Sequence, residues 1–294
     1  MLSETIIAAD QRIRTWQYLR DLWSYRDLFW ALVERDIKVR YKQTVLGVAW
    51  VLIQPICTAV AFSIIFGRVA GMDSQGLPYP LFYLAALIPW TCFTNALSQA
   101  AGSLESSAGL ITKVYFPRLI APGAMVLGTV VDFAIGWFVF NVVAIVWGYW
   151  AVFYSSQPET VNQVYWTWKF ILFTPILLGL QLSAAMGIGL VLAILNAQYR
   201  DVRYVIPFMI QVMMLASPVI YSLKRLLETR WGEWLMVFAY INPMAGVIET
   251  YRALLLGNYI PYELLACNFF MAVSLLFLGI IFFRTREQRI VDLL

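Results

Sequence analysis

Six stretches of this chain are apolar for long enough to cross a lipid bilayer, which leaves few folds open to it. They run over about 44–66, 81–101, 119–150, 170–195, 204–221 and 264–283. A bilayer core of roughly 30 Å takes about 20 helical residues to cross. Pro55 would kink the first run midway, which membrane helices tolerate because neighbouring groups satisfy the freed backbone. The third run is longer than one crossing requires, so its start either lies on the surface or carries tilt. Composition agrees: 61% of residues are hydrophobic and only 13% charged, where a soluble domain carries about a quarter charged. The fold class expected is an all-α integral membrane protein with six transmembrane helices.

Six spans put both termini on one side, and the basic residues choose it. Arg12, Arg14, Arg20, Arg26, Arg35, Lys38, Arg40 and Lys42 precede the first run, and Arg284, Arg286 and Arg289 follow the last. Lys113 and Arg118 lie after the second run, Arg200 and Arg203 after the fourth. Fifteen of the 21 Lys and Arg residues thereby share a face. The positive-inside rule makes that face cytoplasmic. An odd number of spans would split the basic termini. The expected organisation is a cytoplasmic segment 1–43, a transmembrane domain 44–283 and a cytoplasmic tail 284–294. The first 25 residues contain no apolar core of signal-peptide length. In a membrane chain, a net charge of +4 is no pointer to a nucleic-acid partner, because the distribution of charge matters more than its sum.

Two regions between the runs carry a pattern of their own. Arg26–Lys42 sets Phe29, Leu32, Val33 and Ile37 near helical spacing, with Arg35, Lys38 and Lys42 opposite. This predicts an amphipathic helix in the membrane interface, its basic residues including Arg40, with Trp23 and Trp30 as headgroup anchors. The preference over an ordinary soluble helix rests on burial: nothing soluble nearby could cover its apolar side. The second region, 223–263, holds an apolar Trp234–Ile241 too short to cross, an Asn242-Pro243 break, and an amphipathic Met244–Leu256 with Glu249 and Arg252 three positions apart. Two short re-entrant helices before the last span satisfy this pattern, and a small outer cap satisfies it equally.

The chemistry is sparse. There is no histidine, which removes the commonest general base and metal ligand together. No phosphate-cradling loop, H-E-x-x-H or Cys-x-x-Cys occurs, and Cys57, Cys92 and Cys267 show no paired spacing. No catalytic or metal site is expected. Asp132 is the clearest acid inside an apolar run; an ionised carboxylate there costs about 2.5–3.5 kcal/mol on insertion scales, so it should be partnered or protonated. A gate or substrate contact and a polar tie between helices both fit. Gly179, Ser183 and Gly187, with Ala184 and Gly189 beside them, form a small-residue pattern that supports close helix packing. Among the aromatics, Phe62, Phe66, Phe208 and Tyr221 lie in or beside the first and fifth runs. Rings lining a pore would suit a substrate with sugar faces, and lipid-facing packing is the plainer alternative.

Five ordered blocks carry a family likeness: RDIKVRYKQTVLGVAWVLIQP (35–55), LITKVYFPRLIAP (110–122), NAQYRDVRYVIPF (196–208), SPVIYSL (217–223) and NPMAGVIETYR (242–252). On these, the chain resembles the permease subunit of ABC exporters for bacterial surface polysaccharide, especially the O-antigen branch. The resemblance implies a permease homodimer in the inner membrane, working with two copies of a separate ATPase subunit that binds ATP and Mg. The cargo it implies is a lipid-linked polysaccharide. It implies a short coupling helix around Glu105 to Pro117, with Glu105, Lys113, Tyr115 and Arg118 turned to the ATPase. It further implies that the first and fifth spans line the channel, with Phe62, Phe66, Phe208 and Tyr221 as candidate contacts. Teichoic-acid and capsule exporters stay close to this reading. An ion-driven transporter would need several ionisable groups within its spans, and a membrane glycosyltransferase a catalytic base; the sequence supplies neither.

Overall fold

The computed structural model describes residues 15–42, 49–154, 168–227, 230, 232–256 and 260–287. The start of the first apolar run (44–48), the stretch 155–167, and the ends holding Arg12, Arg14 and Arg289 lie outside the described residues. Among the described residues the chain is all helical: α1 Thr15–Ser24, α2 Arg26–Lys42, α3 Ala49–Phe62, α4 Tyr79–Ser106, α5 Ala108–Ile111, α6 Ile120–Tyr154, α7 Trp168–Gln198, α8 Val202–Ala216, α9 Leu223–Leu227, α10 Gly232–Ile241, α11 Ala245–Leu256 and α12 Tyr262–Arg286. A π-helical stretch, Ser63–Val69, continues α3. Five of these segments are long and apolar enough to cross a membrane: Ala49–Val69, Tyr79–Ser106, Ile120–Gly148, Leu172–Gln198 and Tyr262–Arg286.

The fifth apolar run behaves differently from the others. Its helix, α8, has 15 residues and ends at Ala216, which is about 22 Å of helix at 1.5 Å per residue. Pro218 explains the stop: the residue before a proline is pushed out of the helical region, and Ser217 is extended at φ −99°, ψ 149°. Residues 217–221, read from hydropathy as the end of a span, therefore leave the helix and turn back.

α4 is the axis of the bundle. In its most apolar window 78% of the residues are buried, against 11% for α3, which packs on α4 and α6 but presents most of its surface outward. Around α4 pack α6, α7 and α11, and α12 packs on the far side of α7. Small residues set the closest approaches. A β-carbon on Gly279 of α12 would lie 2.9 Å from the Gly187 Cα of α7, so these backbones cross in direct contact. Gly179 faces open space and Ser183 bonds its own helix, so of the four-residue stripe only Gly187 makes that crossing. Beneath α4 sits an aromatic stack in which Trp137 lies 5.6 Å from Phe133, 5.2 Å from Phe140, 5.1 Å from Phe170 and 4.8 Å from Tyr251.

α2 departs from its expected setting in one respect. Leu32 and Val33 are buried in a cluster with Leu104, Ile111, Phe116, Ile120, Leu190 and Phe283. The ends of the bundle, rather than lipid alone, cover its apolar side, so the burial argument for an interfacial helix fails at these two residues. Trp23 and Trp30 remain exposed, as do Arg35, Lys38 and Lys42.

Candidate functional site

Three polar constellations stand out against this apolar frame. The first is the loop between α4 and α6. α4 ends at Ser106, α5 makes a single short turn, and every residue of the run Thr112–Tyr115 is exposed, between buried Ile111 and Phe116. Both ends of the loop are tied down. At its start, Arg203 Nη2, from the beginning of α8, donates to Glu105 Oε1 at 2.7 Å and to Oε2 at 2.6 Å. At its end, the Arg118 backbone N–H donates to Glu287 Oε1 at 3.0 Å. The Tyr18 hydroxyl donates to the other oxygen of Glu287 at 3.3 Å, and Arg284 lies 4.5 Å from the Tyr18 ring centre. Burial raises the Glu287 carboxyl above its ordinary range, against the lowering effect of Arg118. Of the four residues singled out from sequence, Lys113 and Tyr115 form the exposed tip, while Glu105 and Arg118 form the anchored base.

The second constellation joins α2 to α6. Phe29 lies beside Gly123, Asp36 beside Gly128 and Arg40 at Asp132, so α2 runs alongside the first turns of α6 in the same direction. Gly128 leaves room for the Asp36 carboxylate, since a β-carbon there would come within 2.8 Å of Oδ2 and displace it. Arg40 Nη1 and the Tyr41 hydroxyl both donate to Asp132, and Arg40 Nη2 donates to Asp36 Oδ2 at 2.8 Å. Burial, and after it the bond to Asp132, pushes the Tyr41 hydroxyl pKa upward and keeps it a donor. The side chains of Arg40 and Asp132 are 21% and 10% exposed. Arg40, grouped by its sequence with the outward basic residues of α2, turns inward here.

The third is a knot around Arg252, which sequence reasoning passed over as a site residue. α11 is buried along its whole length among α4, α7, α10 and α12. Arg252 is wholly buried, yet well supplied with acceptors. Its Nη1 donates to the carbonyls of Pro218 at 2.7 Å and Tyr221 at 3.1 Å, and its Nη2 to Val219 at 2.9 Å. Glu249 Oε1, 3.2 Å from Nη1, also accepts the Leu223 N–H at 3.2 Å, and the guanidinium lies 3.7 Å from the Phe82 ring centre. These carbonyls belong to the non-helical turn that follows α8, so the arginine supplies donors to backbone that has left the helix. Asn242 adds bonds to Ala216 O and Ser217 Oγ, and Asn268 of α12 ties Gly246 N–H to the carbonyls of Ala239 and Tyr240. One signal was legible: an arginine between MAGVI and ALLL has no cheap place unless it is fully bonded.

The four candidate channel rings do not gather in one chain. Phe62 and Phe66 meet each other at 5.3 Å, and Phe62 meets Tyr83 at 5.7 Å. Phe208 stands 66% exposed on α8. Tyr221 is half-buried and its hydroxyl donates to Leu215 O at 3.3 Å. No ring contact joins the first pair to the second among the described residues.

Residues 27–256, from the start of α2 through α11, match the profile of the ABC-2 type transporter family. The chain belongs to that family. It is thus a multi-pass membrane protein, and all three constellations fall within the matched ABC-2 region apart from the α1 and α12 contributions of Tyr18, Asn268, Arg284 and Glu287. Among curated proteins, it is 25% identical over 276 residues to the O-antigen export system permease protein RfbA of Myxococcus xanthus, covering 93% of this chain and 98% of that protein. RfbA of Klebsiella pneumoniae is 25% identical over 268 residues, 91% of this chain and 95% of its own. The polysialic acid transport protein KpsM of Escherichia coli is 24% identical over 263 residues, 88% and 93% of the two chains.

Proposed function

We propose that this ABC-2 protein is the permease subunit of an exporter that moves lipid-linked polysaccharide, O-antigen first, across the bacterial inner membrane. The observation that carries the reading is the end-to-end match to export permeases at 25% identity over 93% of the chain. Two copies of the permease would work with two copies of a separate ATPase subunit, which binds ATP and Mg; this sequence has no phosphate loop of its own. In this reading both termini are cytoplasmic and α8 serves as the fifth of six crossings. The α10–α11 pair enters from the outer face and returns. α2 lies at the inner membrane surface, its exposed Trp23 and Trp30 among headgroups.

The loop from Glu105 to Arg118 suits an ATPase dock because its base is fixed and its tip is free. A force applied at Lys113 or Tyr115 passes through Glu105 to α8 and through Arg118 to α12. An ion-driven mechanism is disfavoured by the engagement of Asp132 with Arg40 and Tyr41. Capsule export is the second reading, favoured by the likeness to KpsM. Lys113→Glu and Tyr115→Ala, assayed for surface polysaccharide with permease level checked, test the proposal. Both should lose most export while the permease still inserts and folds; normal export by both variants would leave the loop a plain connector.

A further inference from the structure

At the end of the bundle opposite α2, a cavity of about 770 Å³ opens between the Asp73–Gly76 turn, α9, α10, α11 and the start of α12. Its polar lining comes chiefly from Asp73, Lys224, Glu249 and Glu263, and its rings from Tyr240 and Tyr262. We propose that this cavity binds an uncharged, hydroxyl-rich pyranose segment, a glycan site on the outer face of the permease. The proposal rests on the export reading above and deepens it by assigning a place to part of the cargo.

The chemistry of the walls selects the ligand class. Tyr240 and Tyr262 stand on the cavity wall and keep 36% and 47% of their surface exposed, so neither is closed into the core. Aromatic ring faces accept the C–H side of a sugar ring. Three carboxylates against a single ammonium give the wall an excess of negative charge, beside the Gln75 amide and two tyrosine hydroxyls. A neutral sugar brings several O–H donors and satisfies that imbalance; a polyanionic sugar brings further acceptors and worsens it. A metal ion is the other ligand for carboxylates. Among the described residues, no three Asp, Glu or Cys side chains converge closely enough to hold one. Glu249 is engaged by Arg252 and Leu223 N–H through one oxygen, which fixes its position before any ligand arrives. The same residue ties the cavity to the knot that folds back the end of α8, so occupancy here would be felt at the outer end of the fifth crossing.

The test is direct binding to the full chain reconstituted in nanodiscs, titrated with mannotetraose and with a sialic acid tetramer, in parallel with a cell-surface polysaccharide assay. Mannotetraose should bind, and Tyr262→Ala should weaken it by about tenfold, the upper range of what one ring contact is worth. Glu263→Gln and Asp73→Asn should narrow the preference for the neutral over the sialic ligand. Two results overturn the proposal: no saturable mannotetraose binding, or binding that is equal for the sialic ligand and unmoved by Tyr240→Ala with Tyr262→Ala. If that happens while cells lacking the chain lose surface polymer, the cavity assignment fails and the export reading stands. If deletion of the chain leaves surface polymer intact, the export reading itself fails.

Discussion

Replacing Asp132 by asparagine removes one charge from the junction of α2 and α6 and leaves its shape nearly intact. In the native chain, the carboxylate accepts from both Arg40 and Tyr41 while Arg40 also reaches Asp36 at 2.8 Å. A hydrogen bond to a charged group contributes about 1.5–3 kcal/mol, and breaking a fully buried pair costs about 3–5 kcal/mol. Neither figure applies whole. Arg40 keeps Asp36, the amide oxygen still accepts from Tyr41, and the pair is 21% and 10% exposed. The expected loss is about 2 kcal/mol, which is about 30-fold in the equilibrium for opening α2 away from α6. Amide hydrogen exchange reads that equilibrium locally. In reconstituted protein, the amides of residues 32–42 should exchange faster by that order, while those of α7 hold their native rate. Asp36→Asn should do less, since Arg40 then retains the deeper partner. Unchanged exchange in α2, or an equal rise in α2 and α7, would refute the reasoning; the first would mean the ionic contact holds nothing, the second that it only supports the global fold.

Arg252→Met should lower folded yield sharply, by about 3–5 kcal/mol of stability, because Glu249 and three carbonyls lose their donor. Arg252→Lys should restore little of it, since its donors radiate from one atom and the acceptors are spread around the two end nitrogens of the planar guanidinium fork; size-exclusion profiles in mild detergent read both. Gly279→Val should force α7 and α12 apart and cost about 1–3 kcal/mol, visible as faster thermal loss of the monodisperse peak, whereas Gly179→Val should not. Glu287 tests a pH effect: its folded carboxyl is raised above the unfolded value by burial, so its contribution is full below the unfolded pKa and is lost as pH rises through the folded one. Local stability around Tyr18 and Arg118 should therefore increase as pH falls through the raised range of the folded carboxyl. Glu287→Gln should flatten that dependence, and a variant as pH-sensitive as the native chain would remove Glu287 as its source.

The sequence by itself determined the solvent. Long apolar runs and sparse charge dictate membrane helices, since that property depends on local composition and each helix satisfies its own backbone. Four of the six runs reappear as helices long enough to cross, and the first does so from Ala49 onward through its π-helical extension. The fifth did not, although its stop signal, Ser217-Pro218, was in plain sight; hydropathy averages over a proline that the backbone cannot ignore. Only the tertiary structure decided the rest. That Arg40 meets Asp132 depends on α2 running alongside α6, and the two residues are 92 positions apart. That Arg252 binds the turn after α8 depends on a chain reversal across 34 positions. The aromatics illustrate the same division: sequence counts the rings and places them on helices, but which rings stack around Trp137 and which stand exposed like Phe208 follows from helix rotation. The crossing of α7 and α12 likewise rests on Gly187 and Gly279 letting two backbones touch, a relation between distant residues that no single segment encodes.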